Sequence, residues 1–328
     1  MKSVLVIVVT YNGMPWLDRC LGSVSDGDVP KIGTSRAKKA DFDGDVPENG
    51  TSPSLSAVWG PNDGPQTAVQ AKLYVWDNAS TDGSADFVAE HYPEAILIRS
   101  TENLGFSRPN NEGMKYALEH GYDYVYLLNQ DAWLEEGALA KLVAVAQAHP
   151  EYGLLSPLQM TDGYKALDKQ FAKCLGSEAI LEHIPSSGTV SVPFVMAAHW
   201  LVPVSVIKRI GLFEEELFPL YGQDEDWCQR LDFCGLKIGV VKEARGVHDR
   251  AYRKEPVEKL VYRNFYTGSL VRLVNPAKSF SGGLCYCFAL AVVKSIKYRS
   301  LLPFKYLRRI KQQMPQIKAH RARASVRT

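Results

Sequence analysis

Residues 4–9 read Val-Leu-Val-Ile-Val-Val and run straight into Thr10-Tyr11-Asn12-Gly13. Six consecutive apolar residues, most of them β-branched, suit a strand covered on both faces, as in a parallel sheet. The run is shorter than the apolar core of an export signal, and no small-residue cleavage site follows it. It therefore reads as a buried strand, and no targeting segment is expected. The same grammar continues downstream. Lys72–Asp77, Ala95–Arg99 and Tyr124–Asn129 read as further strands. Helices are expected from about Pro15 to Val24, at Ser84–His91, at Asn110–His120 and at Glu135–His149. Strands alternating with helices predict an α/β fold with a mostly parallel central sheet flanked by helices, whose ligands bind beyond the carboxyl ends of the strands. At 328 residues and 46% hydrophobic content, the chain can fill one large core or two small ones.

Residues 25–71 break this rhythm. They are rich in Gly, Pro, Asp, Ser and Thr, and Asp26-Gly27-Asp28-Val29-Pro30 returns as Asp43-Gly44-Asp45-Val46-Pro47. The ligand spacing of a calcium loop is absent. The segment reads as a long, mobile surface insertion. The six cysteines show no CxxC pair, which fits reduced cytosolic thiols.

Four segments fall at or just after strand ends. Thr10-Tyr11-Asn12-Gly13 closes the first strand. Asp77 ends the second and leads into Asn78-Ala79-Ser80-Thr81-Asp82-Gly83-Ser84. A carboxylate there is placed to accept a hydrogen bond from a pyrimidine imide or a ribose hydroxyl, while Asp82 or Ser84 caps the next helix. In Asn103-Leu104-Gly105-Phe106-Ser107-Arg108-Pro109-Asn110-Asn111-Glu112-Gly113, Gly105 permits close backbone approach, and Asn110 or Asn111 is expected to open a helix whose amides face phosphate. Finally Leu127-Leu128-Asn129-Gln130-Asp131 ends an apolar strand in two amides and a carboxylate. Mg²⁺ and Mn²⁺ take oxygen ligands, and substrate phosphates often complete their shell, so one protein carboxylate suffices.

Taken in order, these segments resemble the GT-A glycosyltransferases of family 2, in particular the bacterial rhamnosyltransferase-like members that build surface polysaccharide. The resemblance covers about residues 3–275 apart from the insertion. It extends to Gly211-Leu212-Phe213-Glu214-Glu215-Glu216-Leu217-Phe218-Pro219-Leu220-Tyr221-Gly222-Gln223-Asp224-Glu225-Asp226-Trp227-Cys228-Gln229-Arg230. It implies a GT-A fold and an inverting transfer of a sugar from a UDP- or dTDP-sugar to a saccharide acceptor, lipid-linked in such a pathway. Thr10, Tyr11, Asn12, Asp77, Asn78, Gly105, Arg108 and Asn110 are thereby assigned to the donor, with Asp77 on the base. Arg108 either pairs with the diphosphate or sits in solvent. Asp131 is implied as ligand of a divalent metal, Mg²⁺ or Mn²⁺, and Asn129 stands where the family usually has a further carboxylate. His248 is implied near the metal, a surface histidine being the alternative. Asp224 matches the catalytic base, and Asp226, Trp227 and Arg230 match positions that support the acceptor side. Phe194–Leu201 resembles the segment lining that side. A sugar nucleotidyltransferase, the rival enzyme reading, generally carries a Gly-rich basic loop after its first strand, and Thr10–Pro15 offers none.

The charge is unevenly spread. Residues 259–328 hold 15 Lys/Arg and no Asp or Glu, against a net charge of +2 for the whole chain. The expected organisation is a catalytic domain over 1–258 and a basic, apolar-interleaved helical tail over 259–328. Such a tail suits an anionic surface. The apolar run Leu284–Val293 is too short to span a bilayer unaided, and Ile296, Leu301, Leu302, Phe304, Tyr306, Leu307 and Ile310 interleave with Lys/Arg. That pattern favours interfacial helices on an anionic membrane over nucleic acid. The rival is a basic face packing its apolar side on the acidic body. The resulting expectation is a cytoplasmic protein, peripheral on the inner face of the cell membrane.

Overall fold

The structure, a computed structural model, describes residues 1–25, 69–176, 188–249 and 256–326. The insertion read at 25–71 therefore lies, except for its ends, outside the described residues. Chain order begins β1 (Lys2–Thr10), α1 (Leu17–Ser25), β2 (Val69–Asp77), α2 (Ser84–His91), β3 (Ile96–Arg99), α3 (Ser107–Glu119) and β4 (Tyr124–Asn129). β1 pairs in parallel with β2 on one side and with β4 on the other, and β2 pairs in parallel with β3. This is the parallel α/β half expected from the alternation of runs. Residues alternate across a strand, so Leu5 and Ile7 enter one core while Val4, Val6 and Val8 enter the other.

The second half is mixed. β5 (Ala132–Leu134), α4 (Ala138–Ala148), β6 (Tyr152–Met160), α5 (Lys169–Leu175), β7 (Thr189–Val192), β8 (His199–Pro203), α6 (Val204–Ile210), α7 (Gln223–Phe233) and β9 (Lys237–His248) follow. The sheet order is β3-β2-β1-β4-β8-β6-β9, and β5 and β7 both pair with β9. β8 runs antiparallel to β4 and β6, whereas β6 and β9 are parallel. Phe194–Leu201, expected to line the acceptor side, therefore runs into a central strand, with Trp200 and Leu201 at 1% and 0% exposure.

Beyond residue 255 the chain is helical. α8 (Val257–Val261), a π-helical turn (Tyr262–Thr267), α9 (Gly268–Val274), α10 (Phe280–Tyr298), α11 (Leu302–Gln312) and α12 (Met314–Val326) share a third core cluster with Leu217 and Phe218. The tail is thus packed against the sheet-bearing part. Leu302, Tyr306, Leu307 and Ile310, read from sequence as an interfacial stripe, turn into that cluster. Gly222, at φ +86°, sits where a Cβ would come within 2.4 Å of Thr267 Cγ2, so only glycine lets the start of α7 meet the tail this closely.

A buried charge cluster completes the joint. His320 of α12 places Nε2 2.8 Å from Asp226 Oδ1 and Nδ1 3.0 Å from Glu214 Oε2. Asp226 also takes Arg230 Nε at 3.0 Å, and Arg323 reaches Glu214 at 2.8 Å. Burial disfavours the charged imidazole, but the Asp226 and Glu214 bonds outweigh it and hold His320 above its usual range. The same contacts hold Glu214 and Asp226 below the usual carboxylate range despite burial. The signs follow from linkage. The His320 contribution is complete below about 6.5 and fades as pH rises through its raised native value. The two carboxylates contribute above their ordinary range and fail as pH falls through their depressed native values.

The melting temperature should therefore hold in weakly acidic buffer and decline on the alkaline side. His320→Gln should abolish that alkaline decline and cost about 3 kcal/mol, since removing one partner strands buried charge. Thermal melts of both proteins across pH check this, and identical pH profiles would refute it.

Candidate active site at the carboxyl edge of the sheet

Pairing in register brings the first candidate residues together. Thr10 sits opposite Asp77, and Val9 opposite Asn129, so the ends of β2, β1 and β4 form one edge. Asp77 is 3% exposed. Its Oδ2 accepts the Ser80 backbone N–H at 3.1 Å, whereas Oδ1 has no hydrogen-bond partner among the described residues. A buried carboxylate oxygen left in that state is costly unless a ligand supplies a donor.

The neighbouring loops are fixed by side chains of the motifs themselves. Asn12, in the left-handed region at φ 52°, accepts the Thr81 N–H at 2.9 Å and donates its own N–H to Ser80 Oγ at 3.0 Å. Gln130, missed as a site residue, ties β1 to β4. Its Oε1 accepts from Thr10 Oγ1 at 2.9 Å and from the Tyr11 N–H at 2.7 Å. Thr10 is consequently buried and committed, while Tyr11 remains 48% exposed at the rim. An amide beside a strand end was the one signal that could have revealed Gln130.

Asn78 and Asn110, read as donor contacts, have their side-chain amides engaged within the protein. Asn78 is buried, donating to Asn103 Oδ1 at 3.0 Å and Gly105 O at 2.8 Å, and accepting from the Leu104 N–H at 2.8 Å. Its amide locks the 103–105 loop. α3 begins at Ser107, so Asn110 does not open it. Asn110 is buried one turn in and donates to Phe106 O at 2.8 Å. Pro109 explains the shift, since proline fits a first turn, where its missing N–H is not needed. Asn111 faces the 211–222 segment, donating to Phe213 O at 3.0 Å and accepting the Phe213 N–H at 2.9 Å. Arg108 lies exposed in the first turn of α3.

Gly105, at φ +79°, approaches Pro219 so closely that a Cβ would lie 2.5 Å from its carbonyl oxygen. That oxygen accepts the Phe106 and Ser107 N–H groups at 2.8 and 3.1 Å. The 211–222 segment is thereby laid across the start of α3 and delivers α7. Asp224 is half-buried in the first turn of α7 and its Oδ1 accepts the Glu225 N–H at 2.9 Å. Asp226, Trp227 and Arg230, read as positions that support the acceptor side, are buried and turn the other way from Asp224. Trp227 donates to Gly211 O at 2.9 Å and meets the Trp200 ring at a tilt of 40°, and Arg230 donates to Ile210 O at 2.7 Å and Leu212 O at 3.0 Å. They hold α7 in place from behind. A cavity of about 400 Å³ also lies behind α7, lined by Lys208, Glu214, Arg230, His320 and Arg323, and no strand-end candidate borders it.

The metal candidates meet at the far side of β4. β5 pairs antiparallel with β9, setting Ala132 opposite His248, and the Asp249 N–H donates to Asp131 O at 2.8 Å. His248 ends a β9 longer than the expected Ile238–Val241, so no loop precedes it. His248 Nε2 lies 3.6 Å from Asp131 Oδ1. Asp249, another residue the sequence did not flag, accepts Trp16 Nε1 at 3.0 Å. Among the described residues no group of three or more His, Cys, Asp or Glu is arranged around one point. A carboxylate oxygen and an imidazole nitrogen side by side do fit a divalent ion whose remaining positions come from substrate phosphate and water.

Residues 66–207 match the family described as Glycosyl transferase family 2. Two proteins described as N-acetylglucosaminyl-diphospho-decaprenol L-rhamnosyltransferase, from the CDC 1551 / Oshkosh and H37Rv strains of Mycobacterium tuberculosis, are 26% identical over 205 residues. That alignment covers 54% of this chain and 66% of each relative's length. Among solved structures, S. aureus TarS 1-349 in complex with UDP-GlcNAc matches at a TM-score of 0.51 and 14% identity, over 87% of this chain and 70% of that one. GalNAc-T7 with UDP, GalNAc and Mn²⁺ matches at 0.53 and 13% identity, over 92% and 59% respectively. At such identities these structures speak for the fold. Residues 66–207 thus resemble a family 2 glycosyltransferase domain, the 205-residue alignment is to rhamnosyltransferases, and the fold is of the GT-A kind seen in these neighbours.

Proposed function

We propose that the protein is an inverting glycosyltransferase that moves a sugar from a UDP- or dTDP-sugar to a saccharide acceptor carried on a lipid. The observation that carries the donor reading is Asp77 Oδ1, a buried acceptor at the end of β2 without a hydrogen-bond partner among the described residues. A uracil or thymine imide N–H, or a ribose hydroxyl, satisfies it. Tyr11 at the rim and Arg108 at the exposed start of α3 are the groups left to meet the base and the diphosphate. Asn12, Asn78, Gly105, Asn110 and Gln130 shape the loops that present them.

Asp131 and His248, supported by Asn129, would hold Mg²⁺ or Mn²⁺. When bound, such an ion neutralises the departing diphosphate. Asp224 takes the proton of the attacking acceptor hydroxyl, the step that a displacement with inversion requires of a carboxylate. The lipid-linked acceptor is inferred from similarity to the two mycobacterial N-acetylglucosaminyl-diphospho-decaprenol L-rhamnosyltransferases. An acceptor of that kind, together with a tail of 15 basic and no acidic residues, supports work at the inner face of the cell membrane.

A thermal-shift screen of UDP- and dTDP-sugars with and without Mn²⁺ tests the donor reading. A cognate donor at ~100 times its Kd should raise the melting temperature by about 5 °C or more, and Asp77→Ala should abolish the rise. No shift with any of these donors would remove the reading. Asp131→Ala should leave the metal-free shift in place and eliminate the increment due to Mn²⁺. An unchanged increment would place the metal elsewhere. Asp224→Asn should keep the donor shift while turnover drops about 10²–10⁴-fold, and full turnover would sink its role as base.

A further inference from the structure

The tail keeps part of its apolar surface uncovered. α10 is 19 residues long, nearly twice the Leu284–Val293 run, and no charged residue occurs between Lys278 and Lys294. Gly283, Cys287 and Ala291, four residues apart, form its buried stripe. Cys287 Sγ lies 3.9 Å from Ser269 O, and a Cβ on Gly283 would lie 3.2 Å from Leu273 Cδ2, so this stripe rests on α9. At 100° per residue the rest of the circumference falls to Leu284, Tyr286, Phe288, Val292, Val293 and Ile296, which are 39–74% exposed. Leu301, 77% exposed, and Phe304 extend the patch, the Phe304 ring meeting Phe288 edge-on at 6.3 Å. A contiguous exposed apolar surface of this kind marks an interaction site.

Its surroundings specify the occupant. Lys294, Lys297 and Arg299 close α10, and the exposed Lys305 and Arg308 follow on α11. A second copy would bring the same positive charge face to face, with no acid after Glu258 to answer it. A leaflet of anionic phospholipid offers hydrocarbon to the apolar arc and phosphate to the basic border. Length and composition alone would let α10 cross a bilayer, for its mean hydropathy is 1.3. Crossing would strip the Gly283–Cys287–Ala291 stripe from α9 and draw Lys294 and Lys297 into hydrocarbon.

We propose that the outer face of α10, with Leu301 and Phe304, seats in the interfacial layer of an anionic phospholipid leaflet, so that the protein lies on the membrane and does not span it. This deepens the reading of a lipid-linked acceptor and rests on it for its biological sense. The surface is not the α11 stripe that the sequence pattern suggested, because that stripe is turned inward.

The test is sedimentation of the full chain with phosphatidylcholine vesicles made with and without phosphatidylglycerol. The protein should pellet with the anionic vesicles alone and be released by an alkaline carbonate wash. Phe288→Ser/Val293→Ser/Leu301→Ser, all at exposed positions, should lower the vesicle partition coefficient about tenfold or more. Lys294→Gln/Lys297→Gln should weaken the preference for phosphatidylglycerol. Circular dichroism and gel filtration monitor the fold of each variant. Unchanged pelleting of the triple serine variant, or no pelleting of the wild type, overturns the proposal. Retention through carbonate would establish a spanning helix, and a wild-type dimer dissociated by the serine variant would establish a second copy, each overturning it as well. The donor-induced thermal shift is measured on the same samples, so failure of the glycosyltransferase reading registers separately from failure of the membrane face.

Discussion

β1 is hydrogen-bonded in parallel on both sides, to β2 and to β4, and this double pairing decides where everything else at the edge can stand. With Thr10 opposite Asp77 and Val9 opposite Asn129, a slip of one residue would turn each strand's side chains to the wrong face. It would also move the Asp77 carboxylate away from Ser80 and detach Gln130 from Thr10. The apolar run at 4–9 secures the register energetically. Leu5 and Ile7 fill one core while Val4, Val6 and Val8 fill the other, each fully buried aliphatic side chain worth about 1.5–3 kcal/mol.

That dependence explains which parts of the molecule were legible in the sequence. Strands buried on both faces announce themselves as unbroken apolar runs, and β1, β4 and the Leu73–Trp76 stretch of β2 were readable for that reason. Within β6, Pro157 and Gln159 interrupt the apolar pattern, and β5 is only three residues long. Neither carries a periodicity that separates it from loop, so the antiparallel pairing of β8 and the length of β9 stayed hidden. The start of α3 was misplaced because two asparagines resemble a cap. Pro109 was the better guide, since a proline belongs in the first turn and sets the beginning at Ser107. Asp77 and Asp131 stood out as carboxylates at strand ends, whereas Asp224, one of three acids in a helix start, was singled out only by the family resemblance. Which of the surrounding amides face a ligand and which merely brace a loop depends on partners such as Gly105 O, Asn103 and Phe213, and no local pattern specifies those.

The region around α7 shows the same limit over a greater distance. Asp226 and Arg230 are four residues apart, a spacing at which a helix brings them together. Their third partner, His320, lies 94 residues further on in a segment whose sequence reads simply as basic. Paired, hydrogen-bonded burial is the condition under which such charges are tolerated in a core. The acidic first turn of α7 therefore serves two purposes on two faces. Asp224 stays at the accessible side, while Asp226 fastens the helix to the tail.

The tail's packing order then links two surfaces that the sequence treats as unrelated. Thr267 and Val271, at the start of α9 and the turn before it, bear on Gly222 immediately ahead of α7, and α9 also receives the buried stripe of α10. One short helix thus separates the segment bearing Asp224 from the exposed apolar face. If α10 rests on a bilayer, the height and tilt of α7 above the lipid follow from side-chain packing within this stack and from the His320 cluster. A saccharide held on a lipid offers its hydroxyl within a limited range above the headgroups. An enzyme whose base helix is braced against its membrane-facing helix can meet that range by construction, and the close glycine contact at Gly222 is where the two requirements join.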